Sequence, residues 1–163
     1  MGFSFDELNK TFDDFDGEFP SETGSLTGNK STEARLCAVQ AIYQSLVSED
    51  DLPMVTEQFI DHHLSNRKAD KKLFNTIVEA VTVQQETYLQ TIADNLNETW
   101  TIERVGNVEK ALLLAAIAEL FANPQTPTKV ILNEFINISK GFFAPEEVSF
   151  INGLLDTVSK TRD

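Results

Sequence analysis

The sequence has a single cysteine and only two histidines, which limits the sites it can build. One thiol excludes an internal disulfide framework, and the position of Cys37 between Leu36 and Ala38 predicts a buried, unreactive side chain. The histidines, His62 and His63, are neighbours in a helical pattern, where adjacent side chains point about 100° apart. No further cysteine or histidine completes a ligand set, so we expect no metal.

Glycine-rich phosphate-binding motifs and long apolar runs are also missing. None of the seven glycines forms GxGxxG or GxxxxGK[ST], so nucleotide binding is not expected. The first residues contain no basic segment followed by an apolar one, and the longest uncharged apolar run, 111–118, is far shorter than a membrane span. We therefore expect a cytoplasmic protein without membrane segments or cofactors.

Basic residues are outnumbered two to one, with 13 Lys and Arg against 26 Asp and Glu, and the formal net charge is −13. Phosphate binding draws on an excess of cations, so any contact with nucleic acid must be local. With so many carboxylates, close pairs such as Glu146 and Glu147 arise by chance, and these two lie on different helix faces. We expect no catalytic residue.

Residues 1–30 differ in composition from the remainder. They hold seven acidic residues and two lysines, for a net charge of −5, and five phenylalanines: Phe3, Phe5, Phe12, Phe15 and Phe19. Aromatic residues so few and so interleaved with acids predict a disordered acidic tail rather than a core. The alternative is a segment that docks on a partner or on the protein's own basic patch.

Apolar residues recur at helical spacing from Ser31, the predicted N-cap of a first helix. A second helical segment opens at Pro53, and a third runs from about Lys68 toward Trp100, either continuous or bent. No window alternates strictly enough to predict a strand. The predicted fold class is all-α, with one helical domain over residues 31–163.

The second half of the chain contains the most apolar segment, 102–122, which predicts a central helix. Thr126 is then the predicted cap of a helix with Pro127 at its first position, and Gly141 ends that helix. Pro145 opens the last helix in the same way.

Four stretches resemble, in order, the NusB family of transcription antitermination factors: EARLCAVQAIYQSL, GNVEKALLLAAIAEL, PTKVILNEFINISK and FINGLLD. The resemblance runs from about residue 31 to residue 160. It implies about seven helices in two small crossed bundles, and a role that is not enzymatic. NusB proteins pair with NusE, a ribosomal protein, and the heterodimer holds the boxA segment of ribosomal RNA leaders in RNA polymerase antitermination complexes.

The resemblance also implies roles for individual residues. Arg35 matches the last arginine of the family's basic segment, and Tyr43 a tyrosine whose ring could stack on an unpaired base. Lys129 and Glu146 match residues near the RNA. For Tyr43, core packing is an equal alternative.

The same resemblance assigns Glu109 to the side that faces NusE, and the loop from Leu96 to Trp100 flanks that interface. A solvated helix charge is the equal alternative for Glu109.

Several positions depart from the family pattern. The basic run RRxAR is replaced by STEAR at 31–35, Val148 and Ser149 stand where His and Lys are common, and Leu114 replaces a frequent basic residue. Losing about three to four phosphate contacts lowers affinity for RNA by orders of magnitude at physiological salt.

Two functions from different classes follow. The first is an antitermination or ribosomal RNA biogenesis factor that binds a NusE-like protein and, with it, boxA-like single-stranded RNA, which it binds weakly alone. The alternative is a NusB-fold interaction module that has lost RNA. NusB-like domains also precede the catalytic domain of some RNA methyltransferases, but no such domain follows here, so we do not expect an enzyme. Monomer and homodimer both remain open.

Overall fold

The structure, a computed structural model, describes residues 30–62, 69–96 and 101–162. These ranges form six α-helices: α1 (Lys30–Ser48), α2 (Leu52–His62), α3 (Lys71–Asp94), α4 (Asn107–Ala122), α5 (Thr128–Lys140) and α6 (Pro145–Ser159). A 3-10 helix, Ile102–Arg104, precedes α4. No strand occurs in the described ranges, and the all-α prediction is confirmed. The acidic tail, the side chains of His62 and His63, and Trp100 lie outside what the structure describes.

The core forms around α1 and α4, the two helices in which a run of ten successive residues is buried, 34–43 and 111–120. Every residue from Ala111 to Leu120 of α4 is buried, which confirms the predicted central helix. α4 packs against α1 and α3 on one side and against α5 and α6 on the other. α2 packs on α1 and α3, and its Phe59 ring stacks on Phe74 of α3 at 6.1 Å between centroids. Cys37 is fully buried, as predicted.

Several helix starts differ from the sequence-based prediction, three of them for a reason visible in the backbone or the helix bounds. α1 includes Ser31 rather than beginning after it. α4 begins only at Asn107, because Gly106 has extended backbone that separates the helix from the preceding 3-10 turn. Pro127 is likewise extended (φ −59°, ψ 142°) and precedes α5, so Thr126 lies one residue too far out to cap that helix. The predicted end at Gly141 and start at Pro145 are confirmed.

Asp70 joins the start of α3 to the start of α1. Its carboxylate accepts a hydrogen bond from the backbone N–H of Leu73 at 3.0 Å, which caps α3. Its own backbone N–H donates to the carbonyl of Lys30 at 3.0 Å. α3 then continues as one element to Asp94, with a local departure from helical backbone at Gln84 (φ −115°, ψ 17°).

The cap gives a direct test of this junction. Asp70→Ala should lower the free energy of unfolding by about 1 kcal/mol, because the Leu73 N–H loses its acceptor. Asp70→Asn keeps an acceptor oxygen and should lose much less. Urea unfolding with an unchanged m-value measures both. Equal losses for the two variants would show that the cap is not the source of the effect.

Candidate nucleic-acid interface

A buried ion cluster joins α1, α4 and α5 at one end of the bundle. The Arg35 guanidinium donates side-on to Glu119, from Nε at 2.6 Å and from Nη2 at 2.7 Å. Its Nη1 donates to Glu134 at 2.9 Å, and the Thr32 hydroxyl donates to the same Glu134 oxygen at 2.6 Å. Arg35 is 4% exposed and Glu119 is fully buried. Burial lowers the pKa of Arg35, but hydrogen bonds and charges from Glu119 and Glu134 raise it above its ordinary value.

This cluster continues into the loop between α4 and α5. The Asn123 amide donates to Glu119 at 3.1 Å and to the Thr126 hydroxyl at 2.9 Å. Arg162, just beyond α6, donates to the carbonyls of Asn123 and Thr126, both at 2.7 Å, and to the Thr128 hydroxyl at 2.8 Å. The loop is therefore held from inside by Glu119 and from outside by Arg162.

A concavity of about 250 Å³, the polar hollow, opens above the cluster. The start of α1, the first turns of α3 and the α4–α5 loop form its walls, with polar lining from Ser31, Arg35, Asp70, Lys72, Thr76, Asn123 and Thr126. Lys30 and Lys71 adjoin it in sequence, and both are exposed, as is Lys72. The hollow thus offers amide and hydroxyl groups beside Lys72, with two further exposed lysines next to its lining residues in the chain.

The four residues predicted to bind RNA lie in two different environments. Lys129 and Glu146 are exposed in the first turns of α5 and α6. Arg35 is buried, and a phosphate would have to compete with two carboxylates for its guanidinium. Tyr43 is 5% exposed in the core, so its ring has no free face on which a base could stack. These four side chains therefore do not gather at one point. Arg35 and Tyr43 share helix α1, whereas Lys129 lies on α5 and Glu146 on α6.

Glu109 is buried rather than solvated. It is 4% exposed at the start of α4, and its carboxylate folds back over Gly106, where an added Cβ would overlap Oε1. Burial raises the pKa of Glu109 to about 7; a hydrogen bond from its own backbone N–H lowers it, and the Glu147 carboxyl on α6 raises it. Leu96, also predicted at the protein interface, is half-buried against the core just after α3.

The departures from the family pattern fall in different places. Leu114 is fully buried in α4, so its side chain belongs to the core. Val148 is half-buried and packs against the core, whereas Ser149 is exposed. Only the exposed position offers a surface that a basic residue could use without rearranging the core.

Sequence reasoning missed the cations at the polar hollow. Lys72 lines the hollow and belongs to the segment RKADKK at 67–72. This segment carries four of the thirteen basic residues within six positions. That local excess in an acidic chain was the available indication. Its first two cations, Arg67 and Lys68, lie outside the described residues.

The described residues contain no cluster of three His, Cys, Asp or Glu side chains able to hold a metal ion. None of the helices found in them is both long and apolar enough to cross a membrane. The bundle and its polar hollow define an all-helical protein with an open polar surface rather than an enclosed chamber.

Comparison with known proteins identifies the family. The NusB family model matches residues 32–160. Transcription antitermination protein NusB of Gluconobacter oxydans is 37% identical over 144 residues, covering 82% of this chain and 89% of the relative. The NusB of Caulobacter vibrioides is 33% identical over 145 residues, covering 83% and 97%. The chain therefore belongs to the NusB family of transcription antitermination factors.

A solved structure, NusB of T. maritima, has the same fold. It superposes with a TM-score of 0.69 at 24% identity and covers 80% of this chain and 91% of its own. At this identity the likeness concerns the fold, and it agrees with the helical architecture described above.

The ion cluster predicts a strong effect of removing one partner. Arg35→Leu should lower the free energy of unfolding by about 3–5 kcal/mol, because Glu119 is left buried and unpaired. The double variant Arg35→Leu/Glu119→Leu should be more stable than Arg35→Leu alone, even if the single variant fails to fold. Urea unfolding measures both.

A matched surface pair provides the control. Lys160 and Asp156 form an exposed ion pair at 3.5 Å, so Lys160→Ala should change stability by no more than about 0.5 kcal/mol. A double variant less stable than Arg35→Leu would contradict the assignment of the loss to the unpaired carboxylate.

The raised pKa of Glu109 predicts a pH-dependent stability. Its pKa rises from 4.5 to about 7 on folding, so folding favours the protonated form. The stabilising contribution is complete below pH 4.5 and is lost as pH rises through 7, by about 3 kcal/mol in total. Glu109→Gln should therefore gain stability relative to the original chain between pH 5 and pH 8.

Unfolding by urea at several pH values measures this difference. The exposed Glu103 on the neighbouring 3-10 helix supplies the control variant Glu103→Gln, which should change the free energy of unfolding by no more than about 0.5 kcal/mol. A stability difference for Glu109→Gln that stays the same at every pH would exclude the proposed titration of Glu109.

Proposed function

We propose that this NusB family member is an antitermination factor that binds a NusE-like ribosomal protein and, with it, boxA-like single-stranded RNA in the cytoplasm. The observation that carries the RNA half is the polar hollow at the start of α1, where Lys72 stands beside Thr76 and Asn123. Cations bind phosphates, while hydroxyl and amide groups suit base edges and the 2′-OH of unpaired RNA.

Four exposed lysines form the proposed RNA-binding surface. Lys72 lines the polar hollow, and Lys30 and Lys71 adjoin its lining residues in sequence. Lys129 lies in the first turn of α5, which follows the α4–α5 loop. The start of α5 adds the partial positive charge of a helix N-terminus near Lys129. Glu146, in the first turn of α6, would border this surface.

Arg35 and Tyr43 act through structure in this proposal. Arg35 fixes the start of α1 against Glu119 and Glu134, and so sets the shape of the polar hollow without leaving its carboxylates. Tyr43 lies two turns further along the same helix and packs in the core of the bundle. Both would support the RNA-binding surface rather than touch the RNA.

RNA binding by the chain alone should be weak. Four phosphate contacts correspond to a slope of log affinity against log salt of about −3, and a net charge of −13 opposes approach of a polyanion. A basic partner would supply further cations for the RNA. Leu96, Trp100 and Glu109 remain the proposed side for that partner, whether the chain is a monomer or a homodimer. Because Glu109 is only 4% exposed, it would support this side from within rather than touch the partner directly.

The second candidate function is an interaction module that keeps the protein partner but not RNA. The sequence STEAR at 31–35 favours it, because only one cation remains there and that cation is buried between carboxylates.

The decisive experiment measures RNA affinity with and without the partner. We expect the chain and a NusE-like protein together to bind a boxA oligonucleotide far more tightly than either alone, in filter binding across a salt series. Lys72→Gln should weaken binding by the complex and make the salt slope shallower by about 0.7–1.

Lys140→Gln is the matched control, because Lys140 is an exposed lysine about 18 Å along α5 from the end that adjoins the hollow. It should leave the salt slope unchanged. No gain in RNA affinity on adding a partner that does bind the chain would refute the RNA half and favour the interaction module.

A further inference from the structure

The segment that precedes α1 is attached at the rim of the polar hollow. Lys30 begins α1, and its carbonyl accepts the hydrogen bond from Asp70, the residue that caps α3 and lines the hollow. Residues 1–29 therefore enter the described fold beside the three lysines of that surface.

The segment and the lysines next to the hollow carry opposite charges. Residues 1–29 contain seven acidic residues and one lysine, for a net charge of −6. Lys72 lines the hollow, Lys30 and Lys71 adjoin it in sequence, and all three are exposed. The carboxylate in its lining, that of the half-buried Asp70, already caps α3. Opposite charges held on one chain attract each other without the cost of bringing two molecules together.

The length of the segment allows the contact. The acidic residues lie between Asp6 and Glu22, and ten residues separate Phe19 from Lys30. Ten residues span at most about 33–36 Å, whereas the hollow begins at Lys30 itself. The acidic stretch can therefore reach every cation around the hollow.

An apolar groove elsewhere on the described surface suits this segment poorly. The groove, of about 490 Å³, lies between α2 and α3, with Pro53, Ile60 and Val78 in its lining. Two carboxylates, Glu57 and Glu79, line it as well, and no cation does. Phenylalanine side chains would fit such a groove, but the aspartates between them would meet like charges.

We propose that residues 1–29 dock on the polar hollow through their carboxylates and compete with RNA for its lysines. The segment takes the place of the phosphate backbone, so RNA must displace it before binding. The docking rests on charge and tethering alone, while the competition rests on the proposed RNA-binding function. High salt would weaken both contacts, since both are ionic.

The test uses the full chain and a variant that neutralises part of the segment, Asp13→Asn/Asp14→Asn/Asp16→Asn. The control, Glu57→Gln/Glu79→Gln/Glu86→Gln, changes the net charge equally at exposed positions of α2 and α3. Backbone amide shifts in nitrogen–proton correlation spectra report docking without any RNA. Affinity for a boxA oligonucleotide, in the presence of the partner, reports competition.

We expect the segment variant to shift the amides of Ser31, Lys72 and Thr76 and to tighten RNA binding about fivefold, the effect of a segment that occupies about four-fifths of the molecules. The control variant should shift only the amides near Glu57, Glu79 and Glu86. Its effect on RNA affinity should be less than half that of the segment variant. Lys72→Gln should reduce the shifts caused by the segment variant, because one of the docking charges is gone.

Three outcomes overturn part or all of the proposal. Unchanged amides around the hollow exclude docking there, and shifts at Ile60 and Val78 instead would place the segment in the apolar groove. Shifted hollow amides with unaltered RNA affinity exclude competition. If no variant binds RNA but the hollow amides shift, docking is supported and the proposed RNA-binding function fails instead.

Discussion

The buried contact between Arg35 and Glu119 is the constraint on which the shape of the polar hollow depends. It joins the start of α1 to the end of α4, and Glu134 extends it to α5. Buried charges are tolerated only when their hydrogen-bonding groups find partners. Here Asn123 donates an additional hydrogen bond to Glu119, and Thr32 donates one to Glu134. The three helices are therefore held in one arrangement, and the polar hollow is the surface above their junction.

That arrangement explains how an acidic protein can present a local surface for a polyanion. Because Glu119 and Glu134 neutralise Arg35, the cations left for a ligand are exposed lysines on the rim. In the proposed function, four such charges would give weak and strongly salt-dependent binding, so a second protein would be needed for a stable complex. In the proposed regulation, an acidic segment tethered at Lys30 would need only modest affinity to compete with RNA.

Much of the fold could be predicted from sequence because it follows from local rules. Apolar spacing predicted the helices, the polar-free segment around Leu112 predicted the central one, and Gly141 and Pro145 marked a helix end and start. The predicted starts of α4 and α5 were less accurate, because the backbone at Gly106 and Pro127 is extended rather than helical. That conformation is decided by the neighbouring turns and not by the residue type.

The site was harder to predict because its contacts join distant parts of the chain. Arg35 meets Glu119 and Glu134 across 84 and 99 residues, and no local pattern distinguishes a buried arginine from one exposed to solvent. Family resemblance identified Arg35 and Glu109 as important positions but could not show that both are buried. The lysines at 71 and 72 lay in a visible basic run, yet only the fold places Lys72 beside the start of α1.

We propose different roles for two kinds of basic residue: Arg35 shapes the surface, and exposed lysines bind the RNA. The decisive measurement is an experimental structure of the chain with a NusE-like protein and a boxA oligonucleotide. We expect RNA phosphates within hydrogen-bonding distance of Lys72 Nζ, with Arg35 still paired to Glu119. An Arg35 guanidinium that has left Glu119 to contact a phosphate, with Lys72 remote from the RNA, would contradict it.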